Sequence, residues 1–482
     1  MSHHESQPSE SLPLKPIPGG YGLPFFGAIK DRYDYFYNQG RDEFFRFRRN
    51  KYKSTVFRAN MPPGPFIASN PNVVVLLDAA SFPVLFDTSK VEKKNVFDGT
   101  FMPSTGFTGG YRVCSFLDPS EPKHKAIKSY VLYILASKHN EFIPILSNSL
   151  SHLFTNLENE LSSSQKKEAN FNTLSDDASF NFFFQLFCNK TPEEANLGSK
   201  SNTLVDKWLL PQVAPLITFN KLPKFLSFIE DLLIHTFPLP SFLVNSGYKK
   251  VYDAFYSSAG PLLDEAGQRF GIERDEACHN LVFLAGFNSY GGLKVLFPAL
   301  IKWIGLAGES LHRRLRGEIR TVVEEEGGVT FGALEKMSLT KSVVYEVLRI
   351  EPPVPFQYGH AKEDMVVKSH DASFEVKKGE MIFGFQPFAT RDPKVFERAE
   401  EFVADRFVGE GQKLLKYVLW SNGRETDDPT ADNKQCPAKD FVVFVSRVFL
   451  VEFFLHYDAF EVEAGTLLLG SSATIKSLTK RA

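Results

Sequence analysis

Residues 421–455 read SNGRETDDPTADNKQCPAKDFVVFVSRVFLVEFFL, a polar, turn-rich loop that ends in a cysteine and runs straight into an apolar stretch. The spacing predicts a helix from near Lys439 to about Phe454. Ser446, Arg447 and Glu452 interrupt the apolar run, so it reads as a buried helix and not as a membrane span. Cys436 stands immediately ahead of that helix with Lys434 and Lys439 beside it, where the helix dipole and positive charge favour a thiolate. A cysteine in this place can equally be a small packed core residue, so the loop alone does not settle its chemistry.

Upstream, LTKSVVYEVLRIE at 339–351 puts Val343, Val344, Val347 and Leu348 on one helical face and stops at Pro352 and Pro353. Glu346 and Arg349, three residues apart, leave this helix on the same side and can pair with each other or with a nearby segment. ADRF at 404–407 offers Arg406 as a third member, although most such pairs are solvated surface contacts. Earlier still, LVFLAGFNSYGGLKVLF lies inside a helical segment at 275–305 that is apolar all round. It predicts a helix through the middle of the molecule, weakened at Gly291 and Gly292. Short strands are expected at 54–58, 64–69, 372–377 and 381–386, flanked by Pro, Gly, Asn or Asp. The class is therefore mainly α with a small β portion.

The chain has 482 residues, 47 of them Phe, enough for a large aromatic core or for an apolar pocket. A net charge of -2 gives no basic field for phosphate backbones, so no nucleic-acid partner is expected. Cys114, Cys188, Cys278 and Cys436 are far apart with no CxxC pair, which disfavours a disulfide framework and a structural zinc site. Residues 1–20 read as a flexible polar leader, and 21–482 as one body. The leader has no apolar stretch and no arginine, so neither a signal nor a transit segment is expected, and no transmembrane anchor.

Taken in order, the Glu346/Arg349 pair, ADRF and Cys436 ahead of its helix resemble the haem-thiolate enzymes called cytochromes P-450. The resemblance implies a cytochrome P-450-like fold with a single large haem-binding domain over 21–482. It implies haem b with Cys436 as the axial thiolate on iron, and Glu346, Arg349 and the later Arg holding the loop that presents it. Two departures are informative. Where monooxygenases carry an acid followed by Thr to deliver protons to dioxygen, this chain has AGFNSY at 285–290; and DDPTADNKQ is inserted before Cys436, with Ala438 where Gly is common.

FNSYGG, SNGRET and NKQC resemble the plant allene oxide synthase and fatty-acid hydroperoxide lyase branch of that superfamily. So do IPGGYGLPFFGAIKDRYDYFY, TVFRANMPPGPF, GTFMPST, LDPSEPKH, IEPPVPFQYG and FQPFATRDP, which extends the likeness over about residues 12–478. It implies a substrate that already contains the O–O bond, a 9- or 13-hydroperoxide of linoleic or linolenic acid, with no need of dioxygen or a reductase. Asn288 then meets the hydroperoxide, against a competing role capping a kink beside Gly291. Lys93 and His124 match haem-propionate partners, and Lys249 or Lys250 could meet the fatty-acid carboxylate, although a charged helix face explains those two as well. Phe97 matches the position where synthases carry Phe and lyases Leu, whereas Gly286 and its context look more like lyases. The expected activity is allene oxide synthase, that is, hydroperoxide dehydratase. The alternatives are a lyase giving short-chain aldehydes and oxo-acids, a divinyl ether or epoxyalcohol producer, and a non-turnover haem or lipid-binding protein. The presence of both Cys436 and Asn288 argues against the last. An extraplastidic location is expected, cytoplasmic or in peripheral contact with a membrane.

Overall fold

The central helix expected at 275–305 is the axis around which the rest is arranged. In the computed structural model, which describes residues 12–97, 100–219 and 223–481, it runs from Arg274 to Ala307. It is long and apolar enough to cross a membrane, yet it packs against the helices Phe171–Cys188 and Ser338–Ile350. Its irregularity does not fall at Gly291 and Gly292, which stay α-helical. It falls one turn earlier, where Leu284–Tyr290 is wound as a π-helix. The wider turn shifts side chains out of the 3.6-residue register and is a frequent mark of functional sites.

Ser338–Ile350 and Lys439–His456 form where the spacing predicts them and pack on each other. The Phe excess goes largely into the core, with Phe180, Phe182, Phe183, Phe184 and Phe187 all buried on one helix. The β portion is built around a five-stranded sheet in the order Val56–Asn60, Asn72–Leu76, Met381–Phe385, Phe356–Ala361, Val91–Glu92. Three expected strands are present, at Val56–Asn60, Ser373–Val376 and Met381–Phe385. The one at 64–69 is not. Pro62, Pro63 and Pro65 remove donors there, and the Gly64 N–H is spent on the His235 carbonyl at 2.6 Å, so the segment turns. The strand follows at Asn72–Leu76, whose buried valines pair in parallel with Ile382–Gly384.

The end of the expected leader is not free chain. Leu14–Lys15 pairs in parallel with Ser373–Phe374, Ile17 is buried, and Gly19 bridges Arg58. Three backbone and packing anchors hold this stretch on the body; residues 1–11 lie outside the described ones.

Candidate active site

The Glu346/Arg349 pair is not a surface contact. Both side chains are 0% exposed, and the guanidinium meets the carboxylate at 2.7 and 2.8 Å. Arg406 adds its Nε at 2.9–3.0 Å to the same carboxylate. Arg349 also donates to the carbonyls of Thr390, Ala399 and Glu401, so the network fastens the irregular segment 390–406. These charges are consumed by one another and by loop carbonyls. Glu346 and Arg349 therefore hold that segment in place and leave no free charge of their own. Their reach toward the cysteine is indirect. Tyr345 donates to Glu425 at 2.7 Å, and Lys439, at the start of the following helix, donates to the Glu425 carbonyl at 3.0 Å.

The loop before Cys436 is held by its own backbone. The Cys436 N–H donates to the Ser421 carbonyl at 3.0 Å, and Gln435 Nε2 donates to the carbonyls of Arg424 and Asp427. Gln435 lies so close to Gly423 that a Cβ there would come within 2.4 Å of it, which is why a glycine stands in SNGRET. The inserted stretch folds around Asn433, whose Oδ1 accepts from Thr430 and Gln435 N–H and whose Nδ2 donates to Asp428. Ala438 sits at φ −97°, a conformation that needs no glycine.

The electrostatics around the thiol differ from the expectation in one partner. Lys434 turns away and donates to the carbonyls of Cys114, Ser115 and Leu117 at 2.9, 3.0 and 2.6 Å. Lys128, from the helix Pro122–Ser137, acts on the thiol in its stead. Burial pushes the Cys436 thiol up, against the pull of the Ala438 N–H, Lys128 and Lys439.

Beside the cysteine loop four basic side chains converge, three lysines and a histidine, with few carboxylates to meet them. Lys93, His124 and Lys128 are 2%, 1% and 1% exposed. Lys93 Nζ donates to the Tyr358 carbonyl and Lys128 Nζ to Asn433, while His124 Nδ1 is buried without a partner. Burial, then repulsion from Lys434, pulls Lys93 down to about 7 and His124 to about 3. Burial likewise pulls Lys128 and Lys434 down to about 8. The nearby Asp118 is already engaged by the Lys93 N–H and by Ser120. An under-neutralised buried cation cluster is costly by itself and becomes favourable when an anion enters. Sequence reading found Lys93 and His124. It missed Lys128, although its position four residues after His124 on one helix places both on one face.

In the central helix, residues 281–286 and Tyr290 are buried, but Asn288 is exposed and Phe287 and Ser289 partly so. The Asn288 amide makes no hydrogen bond to the described residues, so it caps no kink. Phe97 reaches this turn, its ring 4.7 Å from that of Phe287 and 5.5 Å from that of Phe116. Gly286 has a packing reason: a Cβ would meet Val205 at 3.1 Å and Trp208 at 3.2 Å. Lys249 is on the surface, paired with Asp253 at 2.7 Å, and Lys250 beside it is exposed, so the charged-face reading holds for both.

The cytochrome P450 family model matches residues 309–424 and ends just before the inserted stretch. Allene oxide synthase 3 of Solanum lycopersicum is 58% identical over 98% of this chain and 95% of its own length. The chain belongs to the allene oxide synthase family of cytochromes P450. Allene oxide synthase 1, chloroplastic, of the same plant is also 58% identical, over 97% of this chain and 87% of its own. A divinyl ether synthase of Nicotiana tabacum is 51% identical over 98% of each. Membership in this family makes the protein a haem-thiolate enzyme. It also corrects the expected extraplastidic location, since the second tomato relative, like others in the family, is named chloroplastic.

Proposed function

We propose that the protein is an allene oxide synthase that dehydrates 9- or 13-hydroperoxides of linoleic or linolenic acid, with residues 21–482 as its catalytic domain. The observation that carries this reading is the unbonded amide of Asn288 on a helical turn without an acid, beside the ring of Phe97. The donor set suits haem b: Cys436 would hold the iron, and Lys93 and His124, with Lys128 beside them, would receive the propionates, while Lys434 stays on its three carbonyls. The unpartnered His124 Nδ1 and the surplus of buried cations support that assignment. When bound, haem iron supplies one-electron cleavage of the O–O bond.

The chain's own residues then direct the substrate. Asn288 orients the hydroperoxide through its N–H and C=O without itself losing a proton. The alkoxyl radical would close to an epoxyallylic radical, which would give up one electron to the haem and one proton to the oxygen retained from the peroxide, so that the hydroperoxide leaves as allene oxide and water. The Phe97 ring face favours that cation through its quadrupole. Of the residues behind the lyase reading, Gly286 has a packing reason in the Trp208 contact, without reference to product. Purified protein given hydroperoxide alone is expected to form mainly ketols by hydrolysis of the allene oxide, and NADPH with a reductase to change nothing. Phe97→Leu should move product toward short-chain aldehydes. A cation–π contribution of about 2 kcal/mol corresponds to a roughly thirtyfold change of ratio, readable by chromatography. Wild-type protein that makes aldehydes almost exclusively would establish the lyase instead.

Peripheral membrane contact belongs to the same proposal. Leu23, Phe25 and Phe26 near the N-terminus, Phe66, and Phe225 and Leu233 are 60–76% exposed. Stacking of Phe66 on Phe237, the Gly64–His235 hydrogen bond and the Arg32–Asp231 ion pair tie these three chain segments into one surface. Its acids point inward: Asp231 is held by Arg32, Glu230 by Thr218, and Asp34 by Lys30. A protruding aromatic and leucine surface with its carboxylates withdrawn suits a lipid interface. Full-length protein should sediment with phosphatidylcholine liposomes, and Phe25→Ser with Phe26→Ser should weaken this without changing turnover in solution. Failure of the wild type to sediment would remove the membrane reading.

A further inference from the structure

A line of oxidisable rings leaves the turn that carries Asn288 and ends at the surface. Phe287 lies 6.5 Å from Trp208. Trp208 stacks on Tyr248 with centroids 5.2 Å apart and planes 23° off parallel. Tyr248 stacks on His279 at 5.8 Å, His279 on Tyr252 at 4.4 Å, and Tyr252 on Tyr256 at 5.6 Å, each within 29° of parallel. Trp208 and Tyr248 are buried, whereas Tyr256 is 38% exposed. The rings come from the helices Ser201–Val213, Asn245–Ser258 and Arg274–Ala307, so their alignment is a product of the fold.

Packing alone would ask only for aromatic rings, but two of these phenols also carry a base. Tyr248 OH lies 2.6 Å from His279 Nδ1, and Tyr252 OH donates to Asp275. Asp275 also faces His279 Nε2 at 3.7 Å, which places the imidazole proton on Nε2 and leaves Nδ1 to accept from Tyr248. Burial holds His279 below its ordinary value, so it rests neutral, with Nδ1 as the acceptor facing the Tyr248 hydroxyl. The imidazole is fixed in place by Gly109, where a Cβ would come within 2.1 Å of the ring. A tyrosine gives up an electron far more readily when its proton has somewhere to go.

We propose that Trp208, Tyr248, His279, Tyr252 and Tyr256 form an electron path through which a small donor of the phenol or ascorbate class reduces the active site from the surface. The proposal rests on the hydroperoxide chemistry given above and adds a second, peroxidase-like activity. If the alkoxyl radical escapes after the O–O bond breaks, it takes a hydrogen atom from one donor molecule and becomes the alcohol. One oxidising equivalent remains in the site with the other oxygen. Trp208 supplies an electron to it and is refilled by Tyr248, whose proton moves to His279. Tyr252 refills Tyr248, which recovers that proton, and the proton of Tyr252 moves to Asp275. A second donor molecule returns one electron to Tyr252 through the exposed Tyr256, the proton on Asp275 goes back to the Tyr252 phenol, and the donor's own proton goes to solvent. The retained oxygen, with that electron and a proton from solvent, leaves as water. In sum, one hydroperoxide and two hydrogen-atom donors give one alcohol, one water and two donor radicals.

The test uses haem-loaded full-length protein mixed with linoleic acid hydroperoxide, frozen within milliseconds and read by electron paramagnetic resonance, with ketols measured in parallel. Wild type is expected to show a tyrosyl signal that ascorbate removes, and ascorbate to raise the number of turnovers before inactivation. Tyr248→Phe should form ketols at the wild-type initial rate, lose the surface tyrosyl signal, inactivate sooner and gain nothing from ascorbate. Tyr252→Phe, closer to the surface and a smaller disturbance to the core, should behave in the same way. Ketol formation with no tyrosyl signal, or equal protection of both variants by ascorbate, would overturn the path and leave the rings as packing. Absence of ketols and of any hydroperoxide consumption would instead overturn the proposed function, and the path with it.

Discussion

Replacing Cys436 with Ser is expected to abolish the thiolate-type haem spectrum and to lower turnover by roughly three orders of magnitude or more, about 4 kcal/mol at the transition state. The expectation follows from the surroundings of the side chain. Burial already pushes the Cys436 thiol up, with Asp440 adding to it, against the Ala438 N–H, Lys128 and Lys439. A serine hydroxyl in the same place would not ionise, so the electron-rich axial donor that assists O–O cleavage would be lost. The backbone bond from residue 436 to the Ser421 carbonyl does not involve the side chain, so the loop should stay folded. The cation cluster should still retain some haem. Absorption spectra of the reconstituted variant and hydroperoxide consumption check this together; a Cys436→Ser protein with an unaltered thiolate spectrum would refute the assignment.

Asn288→Ala or Asn288→Gln should leave haem content and thermal stability near wild type while slowing turnover about ten- to a thousandfold. That range corresponds to the 1.5 to 4 kcal/mol of a preorganised hydrogen bond to the reacting group. The prediction is sharpened by the free amide: since Asn288 bonds to none of the described residues, its removal breaks no hydrogen bond among them. Steady-state loss of the conjugated-diene absorbance gives the rate, and a haem titration gives the content. A variant that unfolds or loses haem would restore Asn288 to a structural role.

The helix at Lys439 and the Ser338–Ile350 helix were legible because an apolar period is local, and so was the candidacy of Glu346, Arg349 and Arg406. Their burial was not. A Glu and an Arg three apart look alike on a solvated helix and in a core, and only the carbonyls of Thr390, Ala399 and Glu401 closing over Arg349 make the difference. The strand at Asn72–Leu76 was overlooked in favour of 64–69. The prolines at 62, 63 and 65 were there to be read against it, and the hydrogen bond of Gly64 to His235, far along the chain, completes the turn.

Direction was harder to read than identity. Lys434 stands two residues before Cys436 and was taken to flank the thiol, but three carbonyls at 114–117 draw it away, and Lys128 takes its place from another helix. The product assignment shows the same division. Phe97 and Gly286 are both visible in the chain and point opposite ways, until the closeness of Trp208 accounts for the glycine.

By itself, then, the sequence determined the helical class, the cysteine at its helix start, the Glu346–Arg349–Arg406 trio and the Asn288 turn without an acid. Apart from Arg406, which enters from the ADRF segment, each of these is a residue type at a short spacing, and short spacings are governed by the backbone's own geometry. Only the tertiary structure decided which cations gather beside the cysteine loop, which groups lose their water and where the surplus charge is left. Desolvation and Coulomb interaction depend on distance in space and on everything that excludes solvent, and no local stretch of chain contains that information.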